Sequence, residues 1–147
     1  MSSPPVTELS TTVRTLARLA RILENAPKEI SITQYRLLAL VDADVERASA
    51  LAGRLALSKP TITAAVDGLV ERGLVVRGEV TGDRRATSIR LTLAGKTALR
   101  NAESEMIARL DPIVERTDDR ERVLAAIDQL GRALDEAVAE RLQKASP

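Results

Sequence analysis

Apolar residues at Leu9, Val13, Leu16, Ala20 and Leu23 recur in alternating steps of four and three, the spacing of a narrow seam along a helix that Pro27 ends. A second helix is expected from Ser31. That serine and Gln34 form a capping-box pair, in which each side chain satisfies a free backbone donor of the other. This helix carries Tyr35, Leu38 and Val41 and ends near Asp42-Ala43-Asp44. A short helix over about 49–55 turns Leu51, Ala52 and Leu55 inward. After Ala56-Leu57, Ser58 is a good N-cap for the next helix, and Pro60 sits in its first turn, where a missing N–H costs little. Its apolar face is Ile62, Val66, Leu69 and Val70. Gly73 fits a left-handed C-cap, with Leu74 supplying the accompanying hydrophobic contact.

The period then changes to two. Residues 74–80 read as a strand and Thr81-Gly82-Asp83-Arg84 as turn chemistry. Ile89, Leu91 and Leu93 alternate with Ser88, Arg90 and Thr92, which predicts a half-buried return strand. The result is a hairpin with a polar, doubly basic tip. Thr92 can cap a long helix running to about Glu115, kinked or ended by Pro112. A last helix begins near Asp118, with Glu121 as its capping-box partner. Val123, Ile127, Leu130, Leu134 and Val138 continue the three-four spacing. Both terminal seams need burial, either against each other within one chain or against a second copy. Residues 1–5 read as a frayed tail, and no internal repeat is visible.

Composition narrows the chemistry. The 147 residues fit one domain, 44% of them are hydrophobic, and one Tyr stands alone without Phe or Trp. Aliphatic side chains and alanine must therefore carry the core. With no Cys there is no disulfide, thiolate nucleophile or cysteine redox switch. With no His the usual metal ligand and general base are missing, so no metal or cofactor site is expected and an enzyme has little support. No apolar run reaches the roughly 20 residues of a membrane span. Met-Ser-Ser-Pro-Pro lacks the features of a signal peptide, so the expected location is the cytoplasm.

The net charge of +1 conceals a division along the chain. Residues 47–100 hold ten Lys/Arg and four Asp/Glu, a net +6, while the remainder carries −5. A basic centre between acidic flanks is a candidate polyanion face. The order of helix, short helix, capped helix and two-stranded ribbon is that of a winged helix-turn-helix. The expected fold is thus mainly α with a small β-hairpin wing. In that arrangement the helix over 58–72 enters the major groove of double-stranded DNA. Its exposed opening residues should be Ser58, Lys59, Pro60, Thr61, Thr63 and Ala64, with Asp67 one turn later. The Thr61 and Thr63 hydroxyls can reach bases or phosphates. Arg84 and Arg85 at the hairpin tip suit a narrow minor groove, with Asp83 orienting an arginine. Arg54, Arg72 and Arg77 are candidate phosphate contacts. Tyr35 reads first as a packing residue, and Glu103 with Glu105 as a solvated pair on different helix faces. A winged-helix module binding protein or RNA is the competing reading.

The stretches Ala50-Leu51-Ala52-Gly53-Arg54-Leu55, Ser58-Lys59-Pro60-Thr61-Ile62-Thr63 and Leu69-Val70-Glu71-Arg72-Gly73-Leu74-Val75 resemble the groove-binding region of the MarR (multiple antibiotic resistance regulator) family. So do Gly82-Asp83-Arg84-Arg85-Ala86 and Leu91-Thr92-Leu93-Ala94-Gly95, which are similar to its wing and the start of its next helix. The resemblance covers nearly the whole chain. It implies a single domain over 6–147, with a DNA-binding lobe over 31–95 and helical dimerisation arms over 6–26 and 96–143. It further implies an obligate homodimer that represses by occupying a pseudo-palindromic operator. Leu9, Val13, Leu16, Val123, Ile127, Leu130 and Leu134 would form the dimer interface. A small anionic or phenolic effector is implied between the arms and the lobe, for which Arg18, Arg21 and Tyr35 are the candidate contacts. Ala64 and Ala65 stand where many members carry arginine, which shifts phosphate anchoring toward Lys59, Arg54 and the wing. Absent Cys and His argue against the peroxide-sensing and zinc-sensing branches.

Overall fold

The computed structural model describes residues 6–43, 48–80 and 83–145. Eight elements follow in order: α1 (Val6–Glu24), α2 (Ile32–Asp42), α3 (Ala48–Leu55), α4 (Lys59–Glu71), β1 (Val75–Val80), β2 (Asp83–Leu91), α5 (Leu93–Val114) and α6 (Arg120–Ala145). The 1–5 tail lies outside the described residues.

One core holds the central elements together. Leu37 and Leu38 of α2, Leu51 of α3, Ile62, Val66 and Leu69 of α4, Val75 of β1, Ile89 of β2 and Leu99 of α5 are all buried in it. Each such side chain contributes roughly 1.5–3 kcal/mol by leaving water, which ties α4 to the hairpin and to α5. The caps set where each helix begins. Ser31 and Gln34 form the reciprocal capping box. The α4 helix ends in a Schellman motif: Gly73, at φ +68°, donates its N–H to Val70 and Leu74 donates to Leu69.

The two strands pair antiparallel from Val75↔Leu91 to Glu79↔Thr87, after which the register breaks and Val80 pairs with Asp83. Arg84, Arg85 and Ala86 therefore stand against a single step of β1, so the tip bulges on its basic side. Residues 81 and 82, assigned to the turn from sequence, lie outside the described residues.

A tight junction joins the hairpin to α5. The Thr92 hydroxyl accepts the Gly95 N–H at 3.0 Å and donates to the Gly73 carbonyl at 2.7 Å, while the Thr92 N–H donates to Leu74. A Cβ on Gly95 would lie 1.9 Å from the Leu74 carbonyl oxygen, so only glycine admits this approach.

Four local expectations need correction. Leu93 does not extend the return strand; it opens α5 and is 80% exposed, because the Thr92 cap has already turned the chain into a helix. Ser88 is buried beside Ile89 rather than facing water, so strict alternation fails there. The last helix is capped by Asp119, whose carboxylate accepts the Arg122 N–H at 2.9 Å, and not by Asp118 with Glu121. Pro112 neither breaks nor immediately ends α5, which continues to Val114.

The terminal seams remain open. Val13 is 63% exposed, Leu134 is 62% exposed, and Leu9, Leu16, Ile127 and Leu130 are exposed as well. No residue of α6 is buried, and Val123 is half-buried. α1 packs on α5, and α6 reaches back to α3 near its far end, where Leu142 meets Gly53.

Candidate nucleic-acid interface

The turn between α3 and α4 is built without glycine. Ala56 adopts φ +52°, its N–H bonds to Gly53, and Leu57 donates to Ala52. That is a second Schellman closure, held by an alanine in the left-handed region, where a Cβ costs roughly 1–2 kcal/mol. The neighbouring Gly53 has Leu142 so near that a Cβ would lie 2.8 Å from its Cδ2. Ser58 then starts α4. Its hydroxyl accepts the Thr61 N–H at 3.3 Å and lies 2.7 Å from the Thr61 hydroxyl.

This geometry divides the expected groove residues. Lys59, Pro60, Thr61, Thr63 and Ala64 are all exposed on the opening turns of a helix whose other face is fixed in the core. Thr63 and Lys59 present free side-chain chemistry to solvent. The Ser58 and Thr61 hydroxyls are also bonded to each other, so they first serve the cap. Asp67 has a partner of its own: Arg77 of β1 donates to its carboxylate at 2.5 Å, joining α4 to the hairpin. Taken along the sequence, these two residues have separate expectations, groove and phosphate. In the fold they form one half-exposed ion pair.

Arg54 at the end of α3 and Arg72 at the end of α4 are exposed. The backbone of Asp83, Arg84 and Arg85 lies in β2, and their side chains fall outside the description. Arg90, exposed on the same strand opposite Val76, is a further cation that the sequence reading did not assign to the site. Its signal was its outward place in the Ser88-Arg90-Thr92 alternation.

A cavity of about 320 Å³ opens where α1, α2 and α5 meet, lined by Leu23, Tyr35, Glu103, Met106, Ile107 and Leu110. Tyr35 belongs to it. Arg18 and Arg21, offered as its cationic contacts, are exposed and do not line it. On a helix, residues at those offsets from Leu23 point away from the face that meets α5. Burial and the Glu103 carboxylate beside it, which accepts a hydrogen bond from the phenol, push the Tyr35 pKa up. Glu105 accepts the Lys28 N–H at 2.8 Å. Glu103 and Glu105 thus point to different faces as expected, but both are engaged rather than merely solvated. Among the described residues no group of acidic side chains could hold a metal, and no helix is long and apolar enough to cross a membrane.

A short helix, a core-anchored and capped second helix with its opening face in solvent, and a basic antiparallel ribbon define a winged helix-turn-helix. Residues 29–86 match the model of the MarR family. The chain is 36% identical over 100 residues to the HTH-type transcriptional repressor YetL of Bacillus subtilis (strain 168). That match covers 66% of this chain and spans 60% of the length of YetL. The structure of the transcriptional repressor CouR bound to a 23-mer DNA duplex superposes with a TM-score of 0.70 at 26% identity, covering 90% of this chain and 99% of that one. CouR from Rhodococcus jostii RHA1 bound to p-coumaroyl-CoA gives 0.67 at 25%, with 86% and 87% covered. The central region of the chain thus matches the MarR family model, and the fold is the winged helix-turn-helix of these regulators.

Proposed function

We propose that this chain is a cytoplasmic transcriptional repressor that binds a pseudo-palindromic operator as a homodimer and is released by a small molecule. The observation that carries the reading is the opening face of α4. Lys59, Thr61, Thr63 and Ala64 stand in solvent at a positive helix end, on a helix that Ile62, Val66 and Leu69 lock to the core. Such a face reads base edges without any rearrangement of its scaffold. In this reading the exposed Arg54, Arg72 and Arg90, together with Arg84 and Arg85 of β2, neutralise phosphates.

Two further features support the pairing of chains. The seams of α1 and α6 expose leucines and isoleucines that a single chain leaves unburied, and an isologous dimer removes them from water. Dimerisation also sets the two α4 helices at a fixed separation, which a palindrome about one helical turn apart accommodates. Similarity to YetL, a named repressor, and to CouR, which has been seen on a DNA duplex and with p-coumaroyl-CoA, supports repression and ligand release. We assign the small-molecule ligand to the cavity between α1, α2 and α5.

The test is footprinting of the purified full chain across genomic fragments, with the salt dependence of binding measured on the protected site. A palindromic footprint whose affinity falls steeply with salt is expected, because several phosphate contacts release counterions. Preference for RNA, or no footprint at low salt, overturns the reading.

A further inference from the structure

We infer that the cavity between α1, α2 and α5 takes a lipophilic cation, an ammonium head on an apolar body, rather than a carboxylate or phenolate. This rests on the effector-responsive reading above and names the chemistry of that same site. Five of the six lining residues are Leu23, Tyr35, Met106, Ile107 and Leu110, so the walls are almost wholly apolar. The sixth, Glu103, is the only charged lining residue, and no lysine or arginine lines the space.

Glu103 accepts from the Tyr35 hydroxyl and takes part in none of the ion pairs found among the described residues. A phenol satisfies part of the acceptor capacity of a carboxylate and none of its charge. An apolar occupant would strip water from that carboxylate without compensation. An anionic one would add like-charge repulsion in a low-dielectric setting. A protonated amine supplies the missing counter-charge, donates to the Glu103 carboxylate and can lie against the Tyr35 ring. Its hydrocarbon part then covers Leu23, Ile107 and Leu110, with Met106 adapting to its shape. The volume of about 320 Å³ lies at the small end of ligand cavities, which suits a single-chain or single-ring amine.

The experiment titrates octylamine, octanol and octanoate calorimetrically into the full chain in its native oligomeric state. Octylamine should bind at least about tenfold more tightly than octanoate, with octanol between them. Glu103→Gln, nearly isosteric, should erase the preference for the amine while leaving octanol unchanged. Ile107→Lys, at an exposed part of the rim, should reverse the preference toward octanoate, and it keeps the inference testable if the first variant misfolds. Octanoate binding as tightly as octylamine, or none of the three binding, overturns it. Fluorescence anisotropy with the footprinted operator separates the two readings: a chain that binds DNA but no amine sinks only this inference, whereas amine binding without any operator sinks only the regulatory one.

Discussion

Arg77 of β1 and Asp67 of α4 lie 2.5 Å apart and brace the hairpin against α4. Both side chains are nearly half exposed, at 42% and 48%, so water screens most of their attraction. A double-mutant cycle of Asp67→Ala and Arg77→Ala in urea denaturation should give a coupling of under about 1 kcal/mol. On DNA the two single variants should diverge. Arg77→Ala removes a cation from the basic face and flattens the salt slope, while Asp67→Ala frees Arg77 for phosphate and steepens it. Equal slopes for both variants would show the pair to be remote from the duplex.

Ala56 occupies a backbone region that glycine enters at no steric cost. Ala56→Gly should therefore stabilise the chain, by up to about 1 kcal/mol after the extra freedom of glycine in the unfolded state is discounted. A urea midpoint that moves down instead would contradict the strain assigned to this turn.

Gly95 carries the opposite sign. A methyl group there would meet the Leu74 carbonyl at 1.9 Å, and backbone cannot yield as a flexible side chain does. Gly95→Ala should cost about 3 kcal/mol in denaturant unfolding. Gly131, whose added Cβ meets nothing within 4 Å, is the control position at which alanine should be neutral or helpful.

Ile127 and Leu134 lie on the open seam of α6. Replacing both with aspartate should convert the proposed dimer to monomer in sedimentation velocity, and should also make the melting temperature independent of protein concentration. A double variant that remains dimeric removes α6 from the interface.

Arg85 lies in the bulged part of β2, on the basic side of the hairpin tip. Arg85→Ala should lose roughly 1–3 kcal/mol of operator binding if its side chain enters a minor groove. Unchanged affinity at physiological salt would place the arginine elsewhere.

Most of this architecture was legible in the order of residues, because its signals are local. Caps such as Ser31–Gln34, Ser58 and Thr92 act over three or four residues, and the change of hydrophobic period from helix to strand spans one element. Gly73 announced a helix end for the same reason. The fold class, the opening face of α4 and the two apolar seams followed from these short-range rules and hold in the structure, while it is the tertiary packing that leaves those seams exposed. What the sequence could not supply were meetings between residues far apart along the chain. Asp67 found Arg77, Glu103 turned toward Tyr35, Gly53 made room for Leu142, and Arg18 and Arg21 stayed outside the cavity that Tyr35 lines. Each of those outcomes depends on which faces of separate helices are brought together. Hydrophobic burial settles that for all elements at once, and no spacing within a single element encodes it.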